Sequence, residues 1–223
     1  GGGESSILCF IVPRGVRGFL VCKKFRRCGW HGGAARELSF GGCRSPGGSL
    51  CGVRGEGISQ VLGGLNLGRI DFGAIGTGIA QAALDHSLKY ARDRVQFGKP
   101  ISKFQAIQFK LADMAVNTEA ARLLTYKAAW LKDQGRDYSV AAAEATLFAS
   151  QVSQRVTNMG VQVSAGTGSL AATSVVPSLP AAKPTTPGDR TSATHRRQSI
   201  GQAGASRGKS RGRATAQADE QRT

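Results

Sequence analysis

Two helical patterns meet at a forced break. Ile75, Ile79, Ala82, Ala83 and Leu88 recur at three- and four-residue spacing until Phe97-Gly98-Lys99-Pro100 interrupts them. Proline lacks an N–H and clashes with the preceding helical turn, so no regular helix runs through Pro100, whereas Gly98 suits a left-handed C-terminal cap. Beyond the break, Ser102 and Gln105 stand at capping-box spacing, and Ile107, Leu111, Met114, Ala121, Leu124, Ala128 and Leu131 lie along one helical face. The stretch from Leu84 to Met114 is therefore predicted to be an antiparallel helical hairpin. The expected helices cover residues 64–94 and 102–134. A third begins near Ser139 after Gly135, with Ala141, Ala145, Phe148, Val152, Met159 and Val163 on one face. Three long helices joined by short loops imply a mainly α chain, most of an up-and-down four-helix bundle.

The first quarter reads differently. ILCFIV, GFLVC and ARELSF, separated by Pro13, Gly15, Gly18 and Gly29, predict short β-strands joined by turns. Gly41, Gly42, Gly47 and Gly48 each add roughly 0.5–1 kcal/mol of chain entropy to be overcome, so weak order is expected there. The run Gly73-Ala74-Ile75-Gly76-Thr77-Gly78 invites a nucleotide-loop reading. Its spacing is not that of a dinucleotide fingerprint and no strand precedes it, so close helix packing is the expectation.

The formal net charge of +16 would ordinarily point to nucleic acid. Its distribution says otherwise: residues 1–57 and 171–223 each carry nine Lys and Arg against three acids, and the helical middle is nearly balanced. After Gly166-Thr167-Gly168-Ser169 the sequence is rich in Ala, Ser, Thr, Gly, Pro and Arg and has no aromatic residue, a composition that predicts disorder where a fourth helix belongs. The five cysteines, Cys9, Cys22, Cys28, Cys43 and Cys51, match no zinc module, with His31 the one nearby histidine, so no metal site is expected. No apolar run reaches the roughly 20 residues that span a bilayer, and no targeting segment is evident. The chain opens on glycines without an initiator methionine, so it is expected to be a piece of a longer protein.

The string YARDRVQFGKPISKFQAIQFKLADM resembles the signature hairpin of the C-terminal helical domain of flavin-dependent acyl-CoA dehydrogenases. The resemblance runs from about Ile7 to about Ser169 and is strongest over residues 64–135. It implies three parts: residues 1–57 as the end of the family's middle β-domain, entering the helices at Gly55-Glu56-Gly57; residues 58–169 as three of the four C-terminal helices; and residues 170–223 as an unrelated low-complexity tail. Phe25-Arg26 departs from a usual acidic pair.

Family members remove the α-proton of an acyl-CoA thioester with a carboxylate while the β-hydrogen leaves as hydride to FAD. The carboxylate usually belongs to a YEGT-like segment, which these residues lack, and at the alternative position before the first-helix arginine stands Gly68. Asp71 matches neither position, so no catalytic residue is assigned. The resemblance places Asn66 and Arg69 by the acyl-CoA. It places Arg94, Gln96, Phe97, Gln105 and Gln162 with Gly166 against the FAD of a neighbouring subunit, Ala165 replacing one family glycine. Read without the family, Arg94 is a cation complementing a helix C-terminus and Gln105 a capping residue. The family's main flavin contacts precede Ile7.

The resemblance implies an FAD-dependent acyl-CoA dehydrogenase fragment, inactive alone, from a homodimer or homotetramer that passes electrons to an electron-transfer flavoprotein. The compartment would be the cytoplasm in a bacterium or the mitochondrial matrix in a eukaryote. The alternative is a non-catalytic helical module that associates with full-length family members. A nucleic-acid binder acting through RGKSRGR ranks third, and no specific nucleic acid or membrane partner is expected. The abrupt stop at Ser169 suggests a shifted reading frame or a misjoined exon.

Overall fold

The computed structural model describes residues 7–26, 33–164, 181–182, 197 and 200. The chain divides into two units, residues 1–68 and 69–223.

In the first unit, β1 (Phe19–Phe25) pairs antiparallel with β2 (Ala35–Phe40), Phe19 opposite Phe40 and Phe25 opposite Ala35, with a register shift between Val21 and Lys24. The Phe19 and Phe40 rings stack with centroids 5.0 Å apart. GFLVC and ARELSF thus form the expected strands. ILCFIV does not, and forms only a single bridge between Phe10 and Leu50, flanked by N–H donation from Ile11 to the Ser49 carbonyl (2.9 Å) and from Cys51 to the Cys9 carbonyl (2.8 Å). The reason lies in its partner, which is a 3-10 turn at Gly47–Ser49 on one side and Gly52 at φ +69° on the other, leaving too little extended chain to pair.

The first helix, α1 (Gly57–Asp93), starts before residue 64. Gly57 and Gly63 disfavour that extra length by propensity, but the anchoring of its first turn outweighs them. The Gly57 N–H donates to the Ile7 carbonyl at 3.2 Å, and the Ser59 hydroxyl donates to the Glu56 carbonyl at 2.8 Å. A Cβ at Gly57 would stand 2.7 Å from the Ile7 oxygen, so only glycine allows this approach.

The second unit holds the rest of α1, α2 (Gln105–Asp133) and α3 (Ser139–Val163). The α2 and α3 faces are those expected: Met114, Ala121 and Ala128 are buried against Ala141, Ala145, Val152 and Val163, with Leu111, Leu124, Phe148 and Met159 packed at the margins. The α1 face agrees only in part. Ala83 is buried and Ile79 and Leu88 are partly buried as expected, but Ile75 and Ala82 are exposed, and the buried seam is Ile70, Gly73, Gly76, Thr77, Ala80, Ala83, Leu84, Ser87 and Ala91. Hydrophobicity alone pointed to the isoleucines, whereas close helix approach selects small residues. The hydroxyls are buried without loss because Thr77 donates to the Gly73 carbonyl (2.9 Å) and Ser87 to the Ala83 carbonyl (2.7 Å). The packing expectation for the glycine run holds at two positions. A Cβ at Gly73 would lie 3.0 Å from Thr125 Oγ1 on α2, and one at Gly76 would lie 3.0 Å from the Ala149 carbonyl oxygen on α3. Gly78 faces open space.

The joint differs from a capped helical hairpin. After Asp93, β3 (Val95–Gln96) and β4 (Lys99–Pro100) form a two-residue hairpin in which Phe97 (φ 54°) and Gly98 (φ 76°) both take left-handed backbone. Gly98 is therefore a hairpin-turn residue and not the C-cap of α1. The Ser102–Gln105 capping box does not form: Ser102 lies in a 3-10 turn, Ile101–Lys103, and Phe104 is the N-cap of α2 with no side-chain cap bond. The extra turn carries the helix start past Ser102, whose carbonyl accepts from Gln108 Nε2 at 3.1 Å.

Of the expected tail, Ala181, Ala182, Arg197 and Ile200 are described; all four are helical and Ala182 is buried. The rest of that expectation lies outside the described residues, as do Cys28 and His31. Among the described residues Cys9, Cys22, Cys43 and Cys51 are free thiols, no group of His, Cys, Asp or Glu could hold a metal, and no helix is long and apolar enough to cross a membrane.

Candidate functional site at the hairpin end

The end of α1, the hairpin, the start of α2 and the end of α3 converge on one small core. Ala91, Ile101 and Val163 are buried there, with Tyr90, Phe104, Ile107 and Leu111 packed around them. Pro100 ends the hairpin and the 3-10 turn follows, which turns Ile101 inward. Arg94 is pinned by its backbone: its N–H donates to the Tyr90 carbonyl (2.9 Å), and its carbonyl accepts from the Ile101 N–H (2.8 Å). Its side chain is exposed and enters no ion pair among the described residues.

Around this core the structure brings together five of the residues singled out by the resemblance. Arg94 and Gln96 flank the hairpin, Gln105 opens α2, and Gln162 precedes the buried Val163. Gln96 is exposed, and its Nε2 donates to the Val95 carbonyl at 2.7 Å. Phe97 is 92% exposed, held up by left-handed backbone that a bulky side chain seldom adopts. Gly166 and Ala165 lie outside the described residues.

One support was missed from sequence. Lys99 Nζ sits 4.5 Å from the centroid of the Phe104 ring, which meets Phe97 edge-on at 6.2 Å. Lysine five residues before phenylalanine is too common a pattern to have signalled it.

The donor set suits a dinucleotide. A guanidinium forks onto phosphate oxygens, amides match base and ribose edges, and a ring face stacks. Arg92, Lys99 and Lys103 raise the local positive charge, offset by Asp93 alone among the exposed hairpin neighbours. All these groups are exposed.

Arg69 and Asn66 belong elsewhere. Both are half-buried on α1, and the Arg69 carbonyl accepts from Thr146 Oγ1 on α3 at 2.5 Å. Arg69 lies about 37 Å from Arg94 along the helix at a 1.5 Å rise per residue. Within the second unit, Arg69 and the residues expected at the cofactor thus do not form one pocket. Asp71 is exposed on α1.

Residues 55–204 match the family model for the acyl-CoA dehydrogenase C-terminal domain. The match runs past Ser169, where the resemblance was expected to stop, so that residue does not mark the end of the family's pattern. A probable acyl-CoA dehydrogenase of Bacillus subtilis, YngJ, is 45% identical over 166 residues, which cover 74% of this chain and 44% of that protein. The butyryl-CoA dehydrogenase structure from Megasphaera elsdenii superposes with a TM-score of 0.86 at 38% identity, covering 90% of this chain and 52% of that one. A structure from a study of the electron transferring flavoprotein of Acidaminococcus fermentans superposes with a TM-score of 0.86 at 39% identity, covering 90% and 53%. The chain spans less than half the length of such curated relatives. The match over most of its helices, with the hairpin and the bundle built as the family's domain requires, makes this chain a member of the acyl-CoA dehydrogenase family.

Proposed function

We propose that the chain is the C-terminal helical part of an FAD-dependent acyl-CoA dehydrogenase, and that it lends Arg94, Gln96, Phe97, Gln105 and Gln162 to the FAD of a neighbouring subunit. The observation that carries this reading is the convergence of those five outward-facing residues on the Ala91–Ile101–Val163 core. FAD, when bound, supplies the hydride acceptor for α,β-dehydrogenation of an acyl-CoA thioester. This chain's residues act by position: Arg94 neutralises phosphate charge, the amides orient the adenosine end, and Phe97 covers a ring face. Asn66 and Arg69 serve the acyl-CoA at the far end of α1. An electron-transfer flavoprotein is the proposed electron acceptor, supported by the Acidaminococcus relative. The compartment would be the cytoplasm of a bacterium or the mitochondrial matrix.

In this reading the chain by itself holds no tightly bound flavin, because the FAD contacts assigned to it are those lent to a neighbouring subunit, and it turns over no acyl-CoA, because its 223 residues contain no YEGT-like glutamate and Gly68 occupies the alternative base position. That same observation favours, as a second reading, a non-catalytic module that assembles with full-length family members. The experiment mixes the purified chain with a full-length family subunit whose own arginine matching Arg94 has been replaced. Recovery of flavin absorbance in the mixture, absent from either component alone, is expected. A chain that is yellow with stoichiometric FAD after desalting, or a mixture that stays colourless, overturns the proposal.

A further inference from the structure

The first unit sets two of its free thiols face to face. Phe10 and Leu50 form an antiparallel bridge, so Cys9 and Cys51, one residue before the first and one after the second, stand directly opposite each other. The Cys51 N–H donates to the Cys9 carbonyl at 2.8 Å, and beyond the bridge the Ile11 N–H donates to the Ser49 carbonyl at 2.9 Å. Opposed residues of an antiparallel pair send their side chains to one face. At a hydrogen-bonded position their Cα atoms are about 5.5 Å apart, inside the range of about 4.4–6.8 Å that a disulfide spans. Their Cβ atoms, about 4.5–5.5 Å apart in such a pair, need to close by roughly 1 Å. A continuous ladder would resist that. This bridge is a single rung, with a 3-10 turn at Gly47–Ser49 on one side and Gly52 at φ +69° on the other, and so has room to yield. Both thiols are half-buried, open enough for a small disulfide to reach.

The other described cysteines lack such an arrangement. Cys22 falls within the register shift of β1, where its thiol donates to the Leu20 carbonyl of the same strand at 3.9 Å, and Cys43 follows the end of β2. We propose that Cys9 and Cys51 are a reversible dithiol–disulfide pair, oxidised by a low-molecular-weight disulfide. One cysteine thiolate attacks the small disulfide, forming a mixed disulfide and releasing one small thiol. The other cysteine thiolate then attacks the protein sulfur of that mixed disulfide, so the bond between the two residues forms as the second small thiol leaves. The net change moves two electrons and two protons from the cysteines to the small disulfide, which departs as two thiols. The new bond closes a long loop around the β1–β2 hairpin. It also fixes the strap from Ile7 to Phe10, whose Ile7 carbonyl accepts from the Gly57 N–H at 3.2 Å as α1 begins. Oxidation therefore restrains the entry into α1, within the first unit and independently of the flavin reading.

The test equilibrates the intact chain with oxidised glutathione under native conditions, alkylates the remaining thiols and maps tryptic peptides. Each cysteine falls in a peptide of its own, Cys9 in residues 1–14 and Cys51 in residues 45–54, so pairing is read directly. A link between those two peptides is expected to exceed any other pairing by roughly tenfold, because the fold holds the two thiols at high effective concentration. The preference should vanish in urea, reverse with excess reduced glutathione, and slow amide exchange at Gly57 while the link is present. Mixing isotope-labelled with unlabelled chain should give links within one chain. The proposal is overturned if both thiols stay reduced or stop at the mixed disulfide with glutathione, if Cys9 pairs as often with Cys22, Cys28 or Cys43, if the preference persists in urea, or if the links join labelled to unlabelled chains.

Discussion

Gly76 on α1 approaches Ala149 on α3 so closely that a Cβ built on the glycine would lie 3.0 Å from the Ala149 carbonyl oxygen and 3.1 Å from its carbon. Both atoms belong to helical backbone and cannot swing aside, so the approach sets the α1–α3 spacing. Gly78, two residues on, faces open space. Opposite outcomes are expected at the two positions. Gly76→Val should lower unfolding stability by about 1–3 kcal/mol through overpacking, and Gly78→Ala should raise it by about 1 kcal/mol through helix propensity. Urea denaturation of both variants checks the pair, and a Gly76→Val chain as stable as the parent would refute the packing account.

Phe97 combines a φ of 54° with 92% exposure, so in the isolated chain its ring contributes little burial to offset an unfavourable backbone. Phe97→Asn should stabilise the isolated chain by about 0.5–1 kcal/mol, since asparagine tolerates left-handed backbone far better. The same variant should weaken flavin recovery in the mixing experiment. Thermal melting and flavin content, measured together, separate a residue kept for the fold from one kept for the cofactor.

The single Thr146 hydroxyl proton is shared between the Ala142 carbonyl on its own helix, at 2.8 Å from Oγ1, and the Arg69 carbonyl on α1, at 2.5 Å. Replacing it with valine preserves shape and removes the cross-helix bond from a buried site. A loss of about 1–2 kcal/mol is expected. Chemical denaturation of Thr146→Val, with Thr146→Ser as the variant that retains the hydroxyl, gives the measurement.

Asp137 lies below the ordinary carboxylate range, first because its Oδ1 accepts from the Ser139 N–H at 2.9 Å as α3 begins, with the Ser139 side chain adding to the effect and burial opposing it. A depressed folded-state value means that the ionised carboxylate stabilises the fold above the unfolded value near 3.9. That contribution disappears as pH falls through the lower, folded value. Asp137→Ala should therefore cost about 0.5 kcal/mol at neutral pH, the low end for helix-start hydrogen bonds, and the difference from the parent should close in acid. Stability measured from pH 7 down to pH 2 shows whether the two curves converge.

Sequence alone determined that residues after about 64 form long helices with a sharp break at Phe97-Gly98-Lys99-Pro100, because apolar periodicity and proline chemistry are local properties of the chain. The faces of α2 and α3 were legible for the same reason: Met114, Ala121, Ala128, Val152 and Val163 are apolar and recur at helical spacing. The resemblance named the candidate site residues, and five of them lie around one end of the second unit. Only tertiary structure decided which face of α1 is buried, since helix–helix distance is set by Gly73 and Gly76 against Thr125 and Ala149, a property of pairs of helices that no single helix displays. It also turned Gly98 from an expected cap into a hairpin residue and moved the start of α2 beyond Ser102, because Ile101 must enter the Ala91–Val163 core and the backbone bends to take it there.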